Sequence, residues 1–374
     1  MKPHDTRFAT VLSNRGCRAR CTFCSVRSFN GDWVRQRSVD SVVDEIEILR
    51  DRWGIGHIMW LDDDLFFEHK RAIALFTEMT RRKLGVTWDA GNGVLAASCN
   101  DDVLAAAAAS GCISLTIGME SGNREILRKV KKPATPEVLL RAAENLRKYP
   151  DIFVRVFLMV GFPGETVRMI RDKIELSVKM GLDWHTITQL QGLPNTDIFQ
   201  DLIKLGIVKK EDTDVRYSLT TYGKSKVNES VREIAGARSA EDVLDSFVQD
   251  KVPTPEELQS IWFVMNYVVN FRRIFLEKRA VKLRYLQKFT AHIAETVSPE
   301  HAFALYFKGY LDHQLGDQPD PATAARLAAK LAGSRVWDAW FRYFNLSTDD
   351  LISGDFSRAR PHALGPDAGS RKSA

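Results

Sequence analysis

The sequence lacks any apolar run long enough to cross a bilayer. A spanning helix needs about 20 apolar residues. The longest candidate, Ile261 to Phe271, falls short and contains Asn266 and Asn270. Met1 to Thr10 are polar and mixed, without the apolar core of a secretory signal. These absences set the expectation of a cytoplasmic protein with no membrane span. Cysteine is scarce, five in 374 residues, which excludes a disulfide-built scaffold. Neither sign of charge dominates: 53 Lys and Arg face 48 Asp and Glu. The net charge of +5 permits an anionic partner without pointing to one. No internal repeat is visible. A hydrophobic content of 44% over 374 residues supplies a sizeable core.

Up to about Asn195 the chain alternates between two patterns. Runs rich in Val, Ile, Leu and aromatics predict strands at Phe8–Ser13, His57–Leu61, Val86–Gly91, Ile113–Gly118, Phe153–Val160 and Trp184–Leu190. Several read as apolar almost throughout, as in strands buried on both faces of a parallel sheet. Between them lies a helix capped by Ser38 and running to about Arg52, with Val42, Val43, Ile46 and Leu49 on one face. Further helices fit Glu68–Arg82, Asp101–Ser110, Thr135–Lys148 and Glu165–Met180. Six strand–helix repeats with right-handed crossovers predict an α/β fold, a partial (β/α)6 parallel barrel. Sites in such folds sit at the C-terminal ends of the strands. The barrel is expected over 1–205 and a polar linker with short helices over 206–252. An aromatic-rich helical region is expected over 253–350 and a disordered tail over 351–374.

Three of the five cysteines crowd into one loop directly after the first strand. Cys17, Cys21 and Cys24 stand in Arg15-Gly16-Cys17-Arg18-Ala19-Arg20-Cys21-Thr22-Phe23-Cys24. Three thiolates ligate three irons of a cubane cluster and leave the fourth open. A zinc site would need a fourth ligand. None lies close in sequence, though His4 or His57 can fold near. Cys99 and Cys112 stand apart and read as small buried hydrophobes.

The CxxxCxxC spacing, with an aromatic residue before the last cysteine, resembles the radical S-adenosylmethionine (SAM) superfamily. The resemblance implies a 4Fe–4S cluster on Cys17, Cys21 and Cys24, with SAM chelated by the open iron. Reduction then breaks the S–C5′ bond and releases a 5′-deoxyadenosyl radical. It also implies that Phe23 contributes to SAM binding. Leu61-Asp62-Asp63-Asp64-Leu65-Phe66 ends the second strand, where the superfamily holds the methionyl amino group, so Asp62 or Asp63 is the expected acceptor. A helix cap or hydrated acidic turn is the plainer alternative. Gly118-Met119-Glu120-Ser121-Gly122 resembles a signature shared by methylthiotransferases and cobalamin-binding radical SAM enzymes. It implies that Glu120 and Ser121 reach the ribose hydroxyls or methionyl group; a salt bridge of Glu120 to Arg155 or another basic residue is the alternative. The block from Val160 to Thr166 resembles the same subgroup and implies Gly161, Pro163 and Gly164 near the adenine. Arg155 on that strand is a candidate for the SAM carboxylate. The segment from Gln189 to Thr196, with Gln191, resembles a turn closing the adenine pocket.

The resemblance covers roughly Thr6 to Phe199. Cobalamin-branch enzymes carry a domain ahead of the cysteine motif, and only sixteen residues precede Cys17 here. The expectation is therefore a shortened relative, a cobalamin domain on a separate polypeptide, or an enzyme that needs no cobalamin. The cluster domain and RNA-binding barrel of methylthiotransferases are not visible. The implied function is radical modification, including methylation, of a small molecule, driven by an electron donor such as flavodoxin or ferredoxin. The alternatives are an RNA-modifying radical enzyme and a non-catalytic Fe–S or zinc scaffold. The basic run Arg272, Arg273, Lys278, Arg279, Lys282, Arg284 and Lys288 reads as a solvated helix face, and the C-terminal aromatics as core.

Overall fold

In the computed structural model, which describes residues 6–209, 240–299 and 301–359, six strands pair in parallel in the order of the chain. They are β1 (Phe8–Val11), β2 (His57–Trp60), β3 (Thr87–Val94), β4 (Cys112–Glu120), β5 (Phe153–Val160) and β6 (Trp184–Gln189). The crossovers run through α1 (Val39–Trp53), α2 (His69–Arg81), α3 (Asp101–Ala109), α4 (Pro136–Arg147) and α5 (Val167–Met180), and α6 (Asp197–Lys204) follows β6. Capping fixes several starts. Ser38 accepts from the Ser41 amide, Asn100 from Val103 and Thr135 from Val138, with Pro136 in the first helical turn. This is the expected parallel α/β architecture.

Sequential strand order with one hand of crossover places every crossover helix on the same face of the sheet. That face is apolar. Phe76 of α2 stacks on Trp88 at 4.8 Å, Trp60 meets Trp88 edge-on, and Ser177 of α5 lies 4.0 Å from the Met119 sulfur. On the other face, the reading of strands buried on both sides holds for β4, of which all but Ile113 is buried, and fails for β5. On β5, Val154, Val156, Leu158 and Val160 are buried, while the alternate Arg155, Phe157 and Met159 are only partly so. No crossover helix covers that side, which is why its side chains stay partly open.

At the N-terminal edge of the open face His57 bonds Thr87 at 2.9 Å and Asp89 at 3.2 Å. His57 starts β2 and is thus engaged at the opposite strand end from the cysteine loop. Cys99 and Cys112 are buried, as expected of small hydrophobes.

Among the described residues, 6–163 and 175–209 form one compact unit, and 164–174 with 240–359 except 300 form a second. The second unit is helical: Ala240–Asp245, Pro255–Asn266, Ala280–His292, Ala302–Leu315, Pro321–Ala332, Arg335–Tyr343 and Thr348–Ser353, with π-helical turns at Tyr267–Phe271 and Ile293–Val297. Its aromatics pack on one another, as in Tyr267 on Phe344 at 3.6 Å and Phe303 on Phe341 at 5.6 Å. In the basic run Lys278, Arg279, Arg284 and Lys288 are exposed, but Lys282 is buried. Most of the expected linker, 210–239, and the tail from 360 lie outside the described residues. Helix Thr348–Ser353, capped by Ser347, carries the helical region past 350. Among the described residues no helix is long and apolar enough to cross a membrane.

Candidate cluster and SAM site

The cysteine loop leaves β1 and is tied down by three consecutive aspartates after β2. Both carboxylate oxygens of Asp62 are engaged: Ser13 donates its amide at 3.0 Å and its hydroxyl at 2.6 Å, and Asn14 its amide at 2.7 Å. Burial pushes the Asp62 carboxyl up, although the Ser13 and Asn14 donors pull against it. Asp63 Oδ2 accepts from the Gly16 amide at 2.9 Å and from Asn30 at 2.8 Å. Asp64 holds Arg18 through two bonds, 2.7 and 3.0 Å. A two-residue antiparallel ribbon, Asn14–Arg15 against Arg35–Gln36, closes the base of the loop. Gly16 must be glycine there: its φ is +100°, and a Cβ would stand 2.4 Å from the Trp33 carbonyl oxygen. The far side of the loop is pinned at Thr22, whose amide bonds Val130 O and whose carbonyl accepts from Ile198, each at 3.0 Å.

Cys17, Cys21 and Cys24 are free and partly buried. Burial pushes the Cys17 thiol up to about 11 and Cys21 up to about 12, and it raises Cys24 as well. Groups that favour thiolate oppose this. The Ala19 amide points at Cys17 Sγ at 3.4 Å, the Val26 amide at Cys24, and the Lys132 ammonium acts on all three. A partly buried thiol triad served by N–H donors and a cation fits an anionic cluster with three thiolate ligands. Among the described residues no three His, Cys, Asp or Glu side chains gather around a single ion. A cubane needs only one thiolate per iron, whereas zinc needs converging ligands.

Lys132 is the residue that sequence reasoning missed. Its Nζ lies 3.0 Å from Glu120 Oε1, with both side chains nearly buried. Burial alone would lower the ammonium, but Glu120 and the thiols of Cys21 and Cys17 hold it above its ordinary value. Gly118 makes room for the pair, since a Cβ would sit 2.6 Å from Lys132 Nζ and 2.8 Å from Glu120 Oε1. Glu120 itself has φ +66°, an uncommon conformation for a non-glycine residue. The salt bridge of Glu120 is thus to Lys132. Nothing in the spacing of Lys129-Val130-Lys131-Lys132 distinguishes the last lysine as the buried one.

The remaining expected residues fall as follows. Ser121 is buried, and its hydroxyl accepts from the Asn123 amide at 3.2 Å. Phe23 lies 6.1 Å, centroid to centroid, from Phe162. Gly161, Pro163 and Gly164 form the turn after β5, and Lys129 bonds the Pro163 carbonyl at 2.7 Å. Glu165 is buried against Lys173 at 2.7 Å. Gln191 follows β6, ahead of Thr196, which caps α6. Arg155 lies lower, near the start of β5, in register with Thr116.

Residues 11–177 match the radical SAM superfamily. The chain is 30% identical over 199 residues to an uncharacterized methyltransferase of Pyrococcus horikoshii, covering 53% of this chain and 43% of that protein. It is 27% identical over 233 residues to cytidylyl-2-hydroxyethylphosphonate methyltransferase of Streptomyces wedmorensis, covering 60% and 42%. It is 30% identical over 204 residues to an anaerobic magnesium-protoporphyrin IX monomethyl ester cyclase of Rubrivivax gelatinosus, covering 54% and 36%. The chain spans less than half the length of each of these relatives. In fold it resembles OxsB, a cobalamin-dependent SAM radical enzyme, with a TM-score of 0.52 at 15% identity over 89% of this chain and 59% of that one. The thiol triad at the strand ends and these likenesses agree: residues 11–177 of the chain form a radical SAM domain.

Proposed function

We propose that this protein is a radical SAM enzyme that cleaves SAM reductively and uses the resulting radical on a small-molecule substrate. The observation that carries the reading is the loop of three thiols, clamped by aspartates at the C-terminal strand ends beside a buried Lys–Glu pair. Cys17, Cys21 and Cys24 would hold the 4Fe–4S cluster. Bound there, the cluster supplies one electron that breaks the S–C5′ bond of SAM, giving methionine and the 5′-deoxyadenosyl radical.

The protein's part is positioning. Asp62, Asp63 and Asp64 fix the loop. Asp63 Oδ1 has no hydrogen bond among the described residues and is available to the methionyl ammonium, whereas both Asp62 oxygens are held by Ser13 and Asn14. Glu120 Oε1 is held by Lys132, which leaves Oε2 for a ribose hydroxyl or the methionyl amine. Phe23 and Phe162 supply an apolar wall near the turn of Gly161 and Pro163, with Gly164 and Gln191 further candidates beside the adenine. Two of the relatives above are named methyltransferases, which favours methyl transfer. Cobalamin would serve it, and a flavodoxin or ferredoxin would deliver the electron. Five free cysteines fit a reducing, cytoplasmic compartment.

The test is anaerobic reconstitution with iron and sulfide, followed by dithionite and SAM. 5′-Deoxyadenosine is expected from the intact protein and not from Cys21→Ala. A full, reduced cluster that releases none overturns the reading. With cobalamin and substrate added, label from methyl-deuterated SAM should reach the product.

A further inference from the structure

Below the cysteine loop, the open face of the sheet holds polar groups that the SAM site does not use. Ser114 and Thr116 stand on β4 two residues apart and so face the same side. Both are fully buried, and neither hydroxyl has a hydrogen-bond partner. A buried hydroxyl without a partner destabilises the fold, so native structures rarely keep one without a reason. Arg155, directly beside Thr116 on β5, faces the same side. Its guanidinium crosses β4: Nη2 lies 3.4 Å from where a Cβ on Gly91 of β3 would stand, a point 3.6 Å from Oδ1 of Asp89, whose other oxygen is bonded to His57. Phe157 and Met159 on β5, and Thr186 and Thr188 on β6, continue this face upward and remain partly exposed.

The height of this patch separates it from the SAM site. Glu120 pairs with Leu158, three residues above Arg155. At about 3.3 Å per residue, the Arg155 backbone lies about 10 Å below the Glu120–Lys132 pair. A molecule seated on the patch would extend upward past Phe157 and Met159 toward the cysteine loop.

We propose that this patch is the anion-binding subsite of the substrate. Arg155, with the hydroxyls of Thr116 and Ser114, receives a carboxylate, phosphate or phosphonate group, and Phe157 and Met159 pack the apolar body. Hydroxyl and guanidinium donors match anionic oxygens, and an apolar wall with a few converging polar groups is the usual make-up of a small-ligand site. The inference rests on the preceding reading of the strand ends as the SAM site. It assigns Arg155 to substrate rather than to the SAM carboxylate.

The test is calorimetric titration of the full, cluster-loaded chain with three probes sharing one ring: phenylphosphonate, phenylacetate and benzyl alcohol. One or both anions are expected to bind and the alcohol not; the better anion identifies the head group. Arg155→Met should weaken anion binding roughly ten- to hundredfold, with Arg155→Lys in between, while SAM binding stays unchanged. Thr116→Val should weaken the anion several-fold yet melt no lower than the native protein, because it removes an unpartnered hydroxyl. Equal binding of the three probes, or anion binding indifferent to Arg155→Met, overturns the proposal. So does loss of SAM binding in Arg155→Met and Arg155→Lys with anion binding intact, which would return Arg155 to the SAM carboxylate. The deoxyadenosine assay on native protein without probe is read separately. If it fails, the SAM-cleavage reading falls, while the probe titrations still decide the anion site.

Discussion

The two faces of one sheet follow opposite rules. The helix-covered face is largely apolar: Trp60, Trp88 and Phe76 lock edge to face and face to face, and Trp88 Nε1 bonds Ser110, although the buried Trp60 Nε1 has no partner among the described residues. The open face and its upper rim carry more polar groups. They hold unpartnered buried hydroxyls at Ser114 and Thr116, a non-glycine residue at positive φ in Glu120, and a buried ammonium in Lys132. Both faces alternate along the same strands, so the chain's local propensities are shared. The difference lies in what each face is selected to meet: helices on one side, ligand on the other.

If that division holds, damage to the rim should remove chemistry before stability, and damage to the helix face the reverse. The largest effect is expected from Cys21→Ala, which removes a cluster ligand and should abolish deoxyadenosine formation without lowering the melting temperature of the cluster-free protein. The same thiol offers a pH test. Burial pushes Cys21 up to about 12, so its alkylation in the cluster-free protein should rise about tenfold per pH unit from 7 to 10, because thiolate is the reactive form. A plateau near pH 9 would show a solvated thiol.

Lys132→Met comes next and strikes both properties, because it leaves Glu120 buried and uncompensated. A loss of about 3–5 kcal/mol is expected, measured by denaturant unfolding, together with weakened SAM binding. The double variant Lys132→Met with Glu120→Gln should recover much of the stability but not the SAM binding. If it recovers neither, the two residues are not coupled as the 3.0 Å contact implies. Leu158→Ala, one position from the open face but pointing into the helix layer, should cost about 2–5 kcal/mol. Deoxyadenosine per folded molecule should stay near native, and a large drop there would mean that the faces are not independent.

The sequence made the framework legible and the open face illegible. Helix limits fell within two residues because caps mark them: Ser38, Asn100 and Thr135 each accept from an amide inside their helix. Cys17, Cys21 and Cys24 declared themselves by spacing. The three aspartates were visible as a polar strand end, but their use as a clamp on Ser13, Gly16 and Arg18 depends on β1 and β2 being neighbours. Lys132 was invisible because lysines in a charged stretch are ordinarily solvated; only the space left by Gly118 and the charge of Glu120 bring it in. The open face had left one sign. Ile113-Ser114-Leu115-Thr116-Ile117-Gly118 alternates in polarity, which marks a face that differs from its opposite, although both Ser114 and Thr116 are buried.

The smallest effect gives the cleanest contrast, since it compares two serines. Ser110 ends the helical turn after α3; its hydroxyl accepts from Trp88 Nε1 and donates to Ala107 O, each at 2.9 Å. Ser114 lies four residues on, fully buried on the open face, with no partner for its hydroxyl. Ser110→Ala strands the indole N–H of Trp88 and should destabilise by about 1–3 kcal/mol. Ser114→Ala removes only a buried hydroxyl that nothing satisfies, so it should be neutral or stabilise by up to about 1 kcal/mol. The same chemical change, made a few residues apart, is therefore expected to lower the unfolding midpoint at Ser110 and not at Ser114. If both substitutions lower it equally, the Ser114 hydroxyl has a structural role in the empty protein, and the contrast between the two faces weakens at that position.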